Sequence, residues 1–268
     1  IGVCSWSTKA GSAAELANIM KQLGLTRVHL ALNPIAIGDD NWIDSDRILA
    51  DAGIEIVCGM FGTVGEDYST LESIRRTGGV VPDDTWEQNW QIVQNVAKVS
   101  GSMNLTRTSC HAGFLPEDKS DPNYAKLIDR LRQCADCFAE YDCDLLFETG
   151  QETAENLAAF LDDLERDNVA VNFDPANMIL YAKGDPVESV RRLMPRIGQV
   201  HLKDAVKTKT PGTWGEEVPF GEGDVDWSGF FTALAEGDYA GDLIIEREAG
   251  DDRIADIEKA IDVAKSHM

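Results

Sequence analysis

The chain has 268 residues, of which 43% are hydrophobic, so it is long enough to bury one large core or two small ones. Its formal charge of −23 disfavours nucleic acids and anionic membranes as partners, because both repel an acidic surface. No apolar run approaches the roughly 18 residues of a membrane span, and six scattered cysteines are typical of buried thiols in a reducing compartment.

The amino-terminal end carries no secretory signal pattern. We therefore expect a cytoplasmic protein. The chain begins directly on an apolar strand, and Ile1 is an unusual native start, so we expect that some sequence precedes it.

A short β-rich run, a polar loop and an amphipathic helix recur eight times along the chain. The predicted strands cover residues 2–6, 27–32, 55–60, 105–110, 144–148, 170–174, 199–203 and 242–246. The predicted helices cover residues 13–23, 42–52, 84–99, 123–141, 153–166, 186–194, 227–236 and 252–265. Strands that alternate with helices pair in parallel through right-handed crossovers.

Eight such units in a chain of this length predict an α/β fold, a (β/α)₈ TIM barrel that forms a single domain over residues 1–268. A doubly wound open sheet is the alternative, but it often has a glycine-rich first turn that this chain lacks. Two long connections, 62–83 and 205–226, follow predicted strands and therefore lie at the carboxyl end of the barrel. Connections this long are usually functional, and Trp214 and Phe220 favour an ordered lid for the second.

The last four predicted strands each carry a potential metal ligand at or near their ends: Glu148, Asp174, His201 and Glu246. Successive residues of a strand face opposite ways, and the apolar alternates face the helices, so all four side chains are predicted to face inward. Three carboxylates at one point would repel one another unless a cation lay between them. Oxygen ligands with one nitrogen favour one divalent ion, Mn²⁺ first, with Mg²⁺, Co²⁺ and Zn²⁺ as alternatives.

Several segments resemble the xylose isomerase-like TIM-barrel superfamily: FETGQET (147–153), NFDPANM (172–178), VHLKDA (200–205), GEGDVDW (221–227) and IIEREAG (244–250). That group contains sugar phosphate isomerases and epimerases, ketose 3-epimerases, inosose dehydratases and AP endonuclease family 2. The resemblance implies that Glu148, Asp174, His201 and Glu246 bind the metal, and that Glu148 and Glu246 also serve as catalytic acid and base. It further implies a homodimer or homotetramer.

The chemistry expected of such a site is proton removal beside a carbonyl, which leads through an enediolate to a sugar isomer or epimer. A dehydratase or lyase acting on a keto-sugar or inosose is the alternative, since it begins with the same step. A non-catalytic sugar-binding subunit is a third interpretation. A DNA-repair endonuclease is disfavoured by the acidic charge and by only four histidines.

Six residues are predicted to bind a small sugar-like substrate: His111, Trp6, Asn177, Lys203, Arg247 and Trp214. Asn177 stands where the ketose 3-epimerases usually have a histidine, and an amide can hydrogen-bond a hydroxyl without exchanging a proton. Two further residues are interpreted structurally. His29 is assigned to core or rim packing, and Glu152 to the charge at a helix amino terminus.

Overall fold

Eight parallel strands close into a barrel in this computed structural model, which describes residues 1–268. The barrel strands are β1 (Gly2–Cys4), β2 (Arg27–Ala31), β3 (Glu55–Met60), β4 (Arg107–Cys110), β5 (Asp144–Glu148), β6 (Val169–Phe173), β7 (Ile197–Leu202) and β10 (Asp242–Ile245). Their order around the barrel is β1-β10-β7-β6-β5-β4-β3-β2. The predicted TIM barrel is therefore confirmed.

Eleven helices surround or cap this barrel. They are α1 (Ala13–Leu23), α2 (Asn33–Ala36), α3 (Ser45–Asp51), α4 (Leu71–Thr77), α5 (Asp83–Ser102), α6 (Pro122–Ala139), α7 (Ala154–Leu164), α8 (Pro175–Leu180), α9 (Pro186–Leu193), α10 (Trp227–Glu236) and α11 (Arg253–His267). Polar side chains begin several of them: Ser12, Thr153 and Asp185 each accept a hydrogen bond from a backbone N–H of the first turn. None of these helices combines the length and apolar character that crossing a bilayer requires.

The structure adds short elements that the sequence pattern did not predict. Helices α2, α4 and α8 have four to seven residues, too short to display a helical period. A two-stranded antiparallel hairpin, β8 (Asp204–Val206) with β9 (Glu216–Val218), occupies the second long connection. The first strand also ends early, because residues Ser5–Thr8 form a 3₁₀ turn that carries Trp6.

The apolar residues divide into an outer and an inner cluster. The large cluster lies between the barrel and the helices and includes Phe147, Val171 and Val200 of three neighbouring strands. Inside the barrel, only Cys4, Val57 and Ile244 form a small apolar cluster, against which Trp6 packs. The strand residues that alternate with the outer cluster are largely polar, so the barrel interior can position chemistry at its carboxyl end.

Candidate active site

The four predicted metal ligands meet at the carboxyl end of four consecutive barrel strands. Glu148 ends β5 and His201 lies in β7, while Asp174 and Glu246 directly follow β6 and β10. One ligand atom from each residue lies within 4.8 Å of the others, and all four residues are buried. The His201 Nδ1 atom is 3.2 Å from Glu246 Oε2, 3.4 Å from Glu148 Oε1 and 3.9 Å from Asp174 Oδ2.

Each of these residues keeps one buried polar atom without a hydrogen-bond partner: Glu148 Oε2, Asp174 Oδ2, His201 Nδ1 and Glu246 Oε2. Unpaired buried polar atoms are rare because each costs about 1–3 kcal/mol. Ligand atoms of the same four residues converge on one point, which fits a single cation. Glu246 Oε2 also has the Lys203 ammonium at 3.0 Å. The donor set of three carboxylates and one imidazole matches a hard or borderline divalent ion.

Asp174 divides its two carboxylate oxygens between two tasks. Oδ1 accepts from the backbone N–H of Asn177 at 3.0 Å and so begins helix α8, which leaves Oδ2 facing the cluster. The Thr149 hydroxyl accepts from the Asp174 N–H at 2.8 Å and donates to the Asp174 carbonyl at 3.0 Å. These contacts tie the end of β6 to the loop after β5, so the backbone fixes the carboxylate.

The two glutamates are each oriented by a neutral N–H donor. The Trp6 indole N–H donates to Glu246 Oε1 at 2.8 Å. The Asn177 side-chain amide donates to Glu148 Oε1 at 3.1 Å. In both residues the other oxygen, Oε2, belongs to the unpaired set. Trp6 and Asn177, predicted as substrate residues, therefore also hold the carboxylates in place.

Cations and imidazoles keep the two glutamates ionised against the effect of burial. Burial opposes ionisation of Glu246, but Lys203 and His201 outweigh it and hold its pKa well below the usual range. Burial likewise opposes ionisation of Glu148, and His111 and His201 lower its pKa. Asp174 differs, because burial dominates and raises its pKa to about 7 although Lys203 opposes the shift.

A cavity of about 290 Å³ adjoins this cluster. Its lining consists of Tyr68, His111, Asn177, Leu180, Tyr181, Lys203, Trp214, Glu217 and Glu248. Four predicted substrate residues are among them: His111, Asn177, Lys203 and Trp214. Five lining residues were not predicted from the sequence: Tyr68, Leu180, Tyr181, Glu217 and Glu248. Tyr68 and Glu217 lie in the two long connections, and the length of these connections is the sequence feature that could have pointed to them.

Two predicted substrate residues, Trp6 and Arg247, do not line this cavity. Trp6 contacts Glu246, and Arg247 has its guanidinium turned to other partners. It donates to Glu217 at 2.6 Å and to Asp256 at 2.8 Å. Glu217 in turn accepts from the backbone N–H groups of Glu248 and Ala249. Arg247 thus holds the loop after β10 against the hairpin, and it does not belong to the cavity lining.

The second long connection is ordered around one buried carboxylate. Asp204 Oδ2 accepts from the N–H groups of Gly221 and Gly223 at 2.9 and 3.0 Å and from the Trp227 indole at 2.8 Å. A Cβ at Gly223 would lie 2.0 Å from the Asp204 carboxylate, so this position requires glycine. The GEGDVDW segment therefore serves to anchor the connection that carries Trp214.

Comparison with known proteins agrees with this architecture. A family model described as xylose isomerase-like TIM barrel matches residues 6–267. The chain belongs to this family. The predicted resemblance is thereby confirmed, although the family includes several chemistries and does not by itself name a reaction.

One curated relative and two solved structures are informative about this xylose isomerase-like barrel. An inosose dehydratase of Geobacillus kaustophilus is 27% identical over 217 residues, which span 73% of this chain and 68% of that enzyme. Matches to further inosose dehydratases of Clostridium species span less than half of their length. A xylose isomerase domain protein of Planctomyces limnophilus is 29% identical with a TM-score of 0.88 and covers 100% of this chain and 95% of that one. An L-ribulose 3-epimerase is 17% identical with a TM-score of 0.76, covering 100% and 93%, and shares the fold.

Proposed function

We propose that this barrel is a divalent-metal-dependent enzyme that isomerises or epimerises a small sugar by proton transfer beside a carbonyl. The observation that carries the proposal is the convergence of four buried ligand atoms, one each from Glu148, Asp174, His201 and Glu246, beside a cavity of sugar size. Mn²⁺ is the proposed ion, with Mg²⁺, Co²⁺ and Zn²⁺ as alternatives. We further propose a cytoplasmic homodimer or homotetramer with no nucleic-acid partner.

A divalent ion held by the quartet would supply a Lewis acid that polarises the substrate carbonyl and stabilises the enediolate. Glu148 and Glu246 stand on β5 and β10 with two strands between them, so they reach the reacting carbon from different sides. One glutamate would remove the proton beside the carbonyl, and the other would return a proton to the opposite face. The N–H donors of Asn177 and Trp6 keep both carboxylates in position for these transfers.

The other cavity residues would bind and orient the sugar. The Lys203 ammonium is 3% exposed and lies 3.0 Å from Glu246 Oε2 and 3.5 Å from Asn177 Oδ1, where it can bind a substrate oxygen near the reacting carbon. His111 Nε2 lies 3.6 Å from Glu148 Oε2, and Glu148 raises the pKa of His111 against the effect of burial. The Trp214 indole N–H is buried without a partner and is a donor for a substrate hydroxyl.

Dehydration of a keto-sugar or inosose is the second candidate function. Its support is the Geobacillus kaustophilus relative, together with an amide, Asn177, where epimerases usually have a histidine. Both reactions begin by removing a proton next to a carbonyl. They differ in whether a hydroxyl on the adjacent carbon then departs as water.

The deciding experiment follows deuterium from solvent into sugar. Mn²⁺-loaded protein is incubated in D₂O with a panel of ketoses, keto-glycosides and inososes, and the products are identified by NMR. Carbon-bound deuterium without loss of water supports the isomerase or epimerase; loss of water supports the dehydratase. Metal retention without exchange in any sugar would overturn both and leave a sugar-binding subunit. Protein treated with a chelator is the control and should incorporate none.

A further inference from the structure

A second histidine lies beneath the ligand cluster, inside the barrel. His29 is completely buried, and its Nδ1 atom is 3.0 Å from the Nε2 atom of His201. Its other ring nitrogen, Nε2, is 2.9 Å from the carbonyl oxygen of Gly59. The two imidazoles therefore form a chain that runs from a β3 carbonyl through His29 to His201, whose Nδ1 faces the three carboxylates.

The fixed end of this chain determines the direction of every hydrogen bond in it. A carbonyl oxygen can only accept, so the Nε2 atom of His29 carries the proton and donates to Gly59. The Ser109 hydroxyl lies 3.0 Å from the same Nε2 atom, and it donates to the Gly59 carbonyl or the Met60 sulfur, which leaves its oxygen to face the Nε2 proton. No carboxylate pairs with the His29 ring, and the amide nitrogen of Gln199 lies against its Nδ1 atom, so Nδ1 carries no proton and accepts. The Gln199 side-chain amide, whose nitrogen is 2.8 Å from that Nδ1 atom, donates in the same direction.

We infer that His29 is a positioning residue that holds His201 as the Nε2–H tautomer, with the Nδ1 lone pair directed at the cation site. A bare Nε2 on His201 would face the bare Nδ1 of His29 at 3.0 Å, which places two lone pairs against each other. This role rests on the proposed metal function, since a fixed tautomer matters where His201 is a ligand. Metal-binding histidines commonly donate their second N–H to an acceptor, and here that acceptor is another histidine.

Two neighbours offer competing arrangements. The Asn172 amide nitrogen lies 3.1 Å from His201 Nε2, and a half-turn of that amide presents its oxygen instead, which accepts the same proton. The half-turn gives up one long hydrogen bond, in which Asn172 Oδ1 accepts from the Gln199 amide at 3.4 Å. Cys4 Sγ lies 3.6 Å from His201 Nε2 and 4.0 Å from His29 Nδ1, so these three residues resemble a second cation site. A tetrahedral zinc ion takes four ligands at roughly 2.0–2.3 Å, whereas this group offers three, with its two nitrogens at hydrogen-bond distance.

Imidazole ¹⁵N NMR on histidine-labelled protein measures the tautomers directly, with and without Mg²⁺. We expect His29 as the neutral Nε2–H form in both samples, and His201 as Nε2–H with an unprotonated Nδ1 when Mg²⁺ is bound. A His29 Nδ1–H tautomer, or two metal ions per chain in an elemental analysis, would overturn the inference. If the protein bound no metal, the proposed function would be wrong. The measured tautomer of His29 would still show whether His29 accepts the hydrogen bond from His201, so the two failures are distinguishable.

Two variants of similar shape test the consequence for metal affinity. His29→Asn keeps an acceptor near the position of Nδ1, and His29→Leu removes it. We expect His29→Leu to raise the Kd for Mn²⁺ by about 10–100-fold. His29→Asn should raise it by less than about fivefold. Thr108→Val removes a different buried hydrogen bond of the barrel, to Ser100, and should leave the Kd unchanged. Equal losses in the Leu and Asn variants would contradict the inference, and the tautomer measurement on the unaltered protein decides it if His29→Leu does not fold.

Discussion

The two halves of the barrel rim differ in charge. Strands β5, β6, β7 and β10 bring Glu148, Asp174, His201 and Glu246 to within 4.8 Å of one another. Strands β1 to β4 bring no carboxylate there: they end in Cys4, Ala31, Met60 and Cys110, and His111, which directly follows β4, lies 3.6 Å from Glu148. We call these strands the neutral half. The difference suggests a division of labour. In the proposed function, the acidic half would supply the metal ligands and the proton carriers, and the neutral half would supply hydrogen bonds that orient them.

That neutral half contacts the ligands from β1 and β2. Trp6, which follows β1, donates to Glu246 at 2.8 Å, and His29 on β2 contacts His201 at 3.0 Å. Neither side chain belongs to the cavity lining. Substitutions in the acidic half should therefore abolish the reaction, whereas substitutions in the neutral half should weaken it.

The largest effect is expected for Glu246→Gln. The amide loses the ligand charge and cannot carry the proton, so we expect kcat/KM to fall by about 10³-fold or more. Steady-state kinetics on an active sugar, together with Mn²⁺ titration, measures both losses. Glu216→Gln alters an exposed acid of the hairpin and should behave as the unaltered protein. A Glu246→Gln enzyme that kept a tenth of the activity would contradict the proposed difference in role between the acidic and the neutral half.

A buried acid, Glu152, lies outside the cluster although it follows β5. Glu152 is buried without an ion pair at the loop before α7, and burial raises its pKa to about 8 although Lys183 opposes the shift. Its carboxyl group is therefore neutral near pH 7, whereas the sequence predicted a charged carboxylate at the amino terminus of a helix. The folded protein keeps a proton that the unfolded chain releases near its ordinary value of 4.5. Stability attributable to this proton is present at low pH and falls as the pH rises from about 4.5 to 8.

Glu152→Gln removes the group whose ionisation lowers the stability of the folded protein at high pH. We expect the variant to be more stable than the unaltered protein at pH 8.5, by on the order of 3 kcal/mol, with the difference shrinking towards pH 5. Urea unfolding at the two pH values measures it. Glu155→Gln, which changes an exposed acid in the first turn of α7, should give no such trend. A constant difference at both pH values would contradict the assignment.

A substitution in the neutral half is expected to have a smaller effect on activity. Trp6→Phe keeps an aromatic ring but removes the N–H that donates to Glu246 Oε1. Because Glu246 retains its charge and its other oxygen, we expect kcat to fall about tenfold while the Kd for Mn²⁺ changes less than about threefold. Kinetics and metal titration on the same preparation separate the two effects. A loss as large as that of Glu246→Gln would erase the distinction between the halves.

The sequence predicted the barrel and the inward direction of the four ligands, because strand alternation fixes both. It could not predict the hydrogen bond between His29 and His201, since 172 residues separate them and the contact depends on strand register across the barrel. It also assigned Arg247 to substrate, whereas the structure pairs this side chain with Glu217 and Asp256. Loop residues such as Tyr68 escaped prediction because short turns and hairpins leave no periodic pattern.

The smallest predicted effect tests whether the hairpin belongs with the acidic half in function. The Trp214 ring packs edge-on against Tyr181 with centroids 4.8 Å apart, lines the cavity and keeps a buried indole N–H without a partner. One hydrogen bond to a substrate hydroxyl contributes about 0.5–1.5 kcal/mol, so Trp214→Phe should raise KM about 2–10-fold with kcat nearly unchanged. Trp86→Phe, on helix α5 and outside the cavity lining, is the matched control and should change neither constant. A fall in kcat with constant KM would place Trp214 among the groups that act on the transition state. The hairpin would then take part in the chemistry together with the acidic half, and its role would not be limited to closing over the substrate.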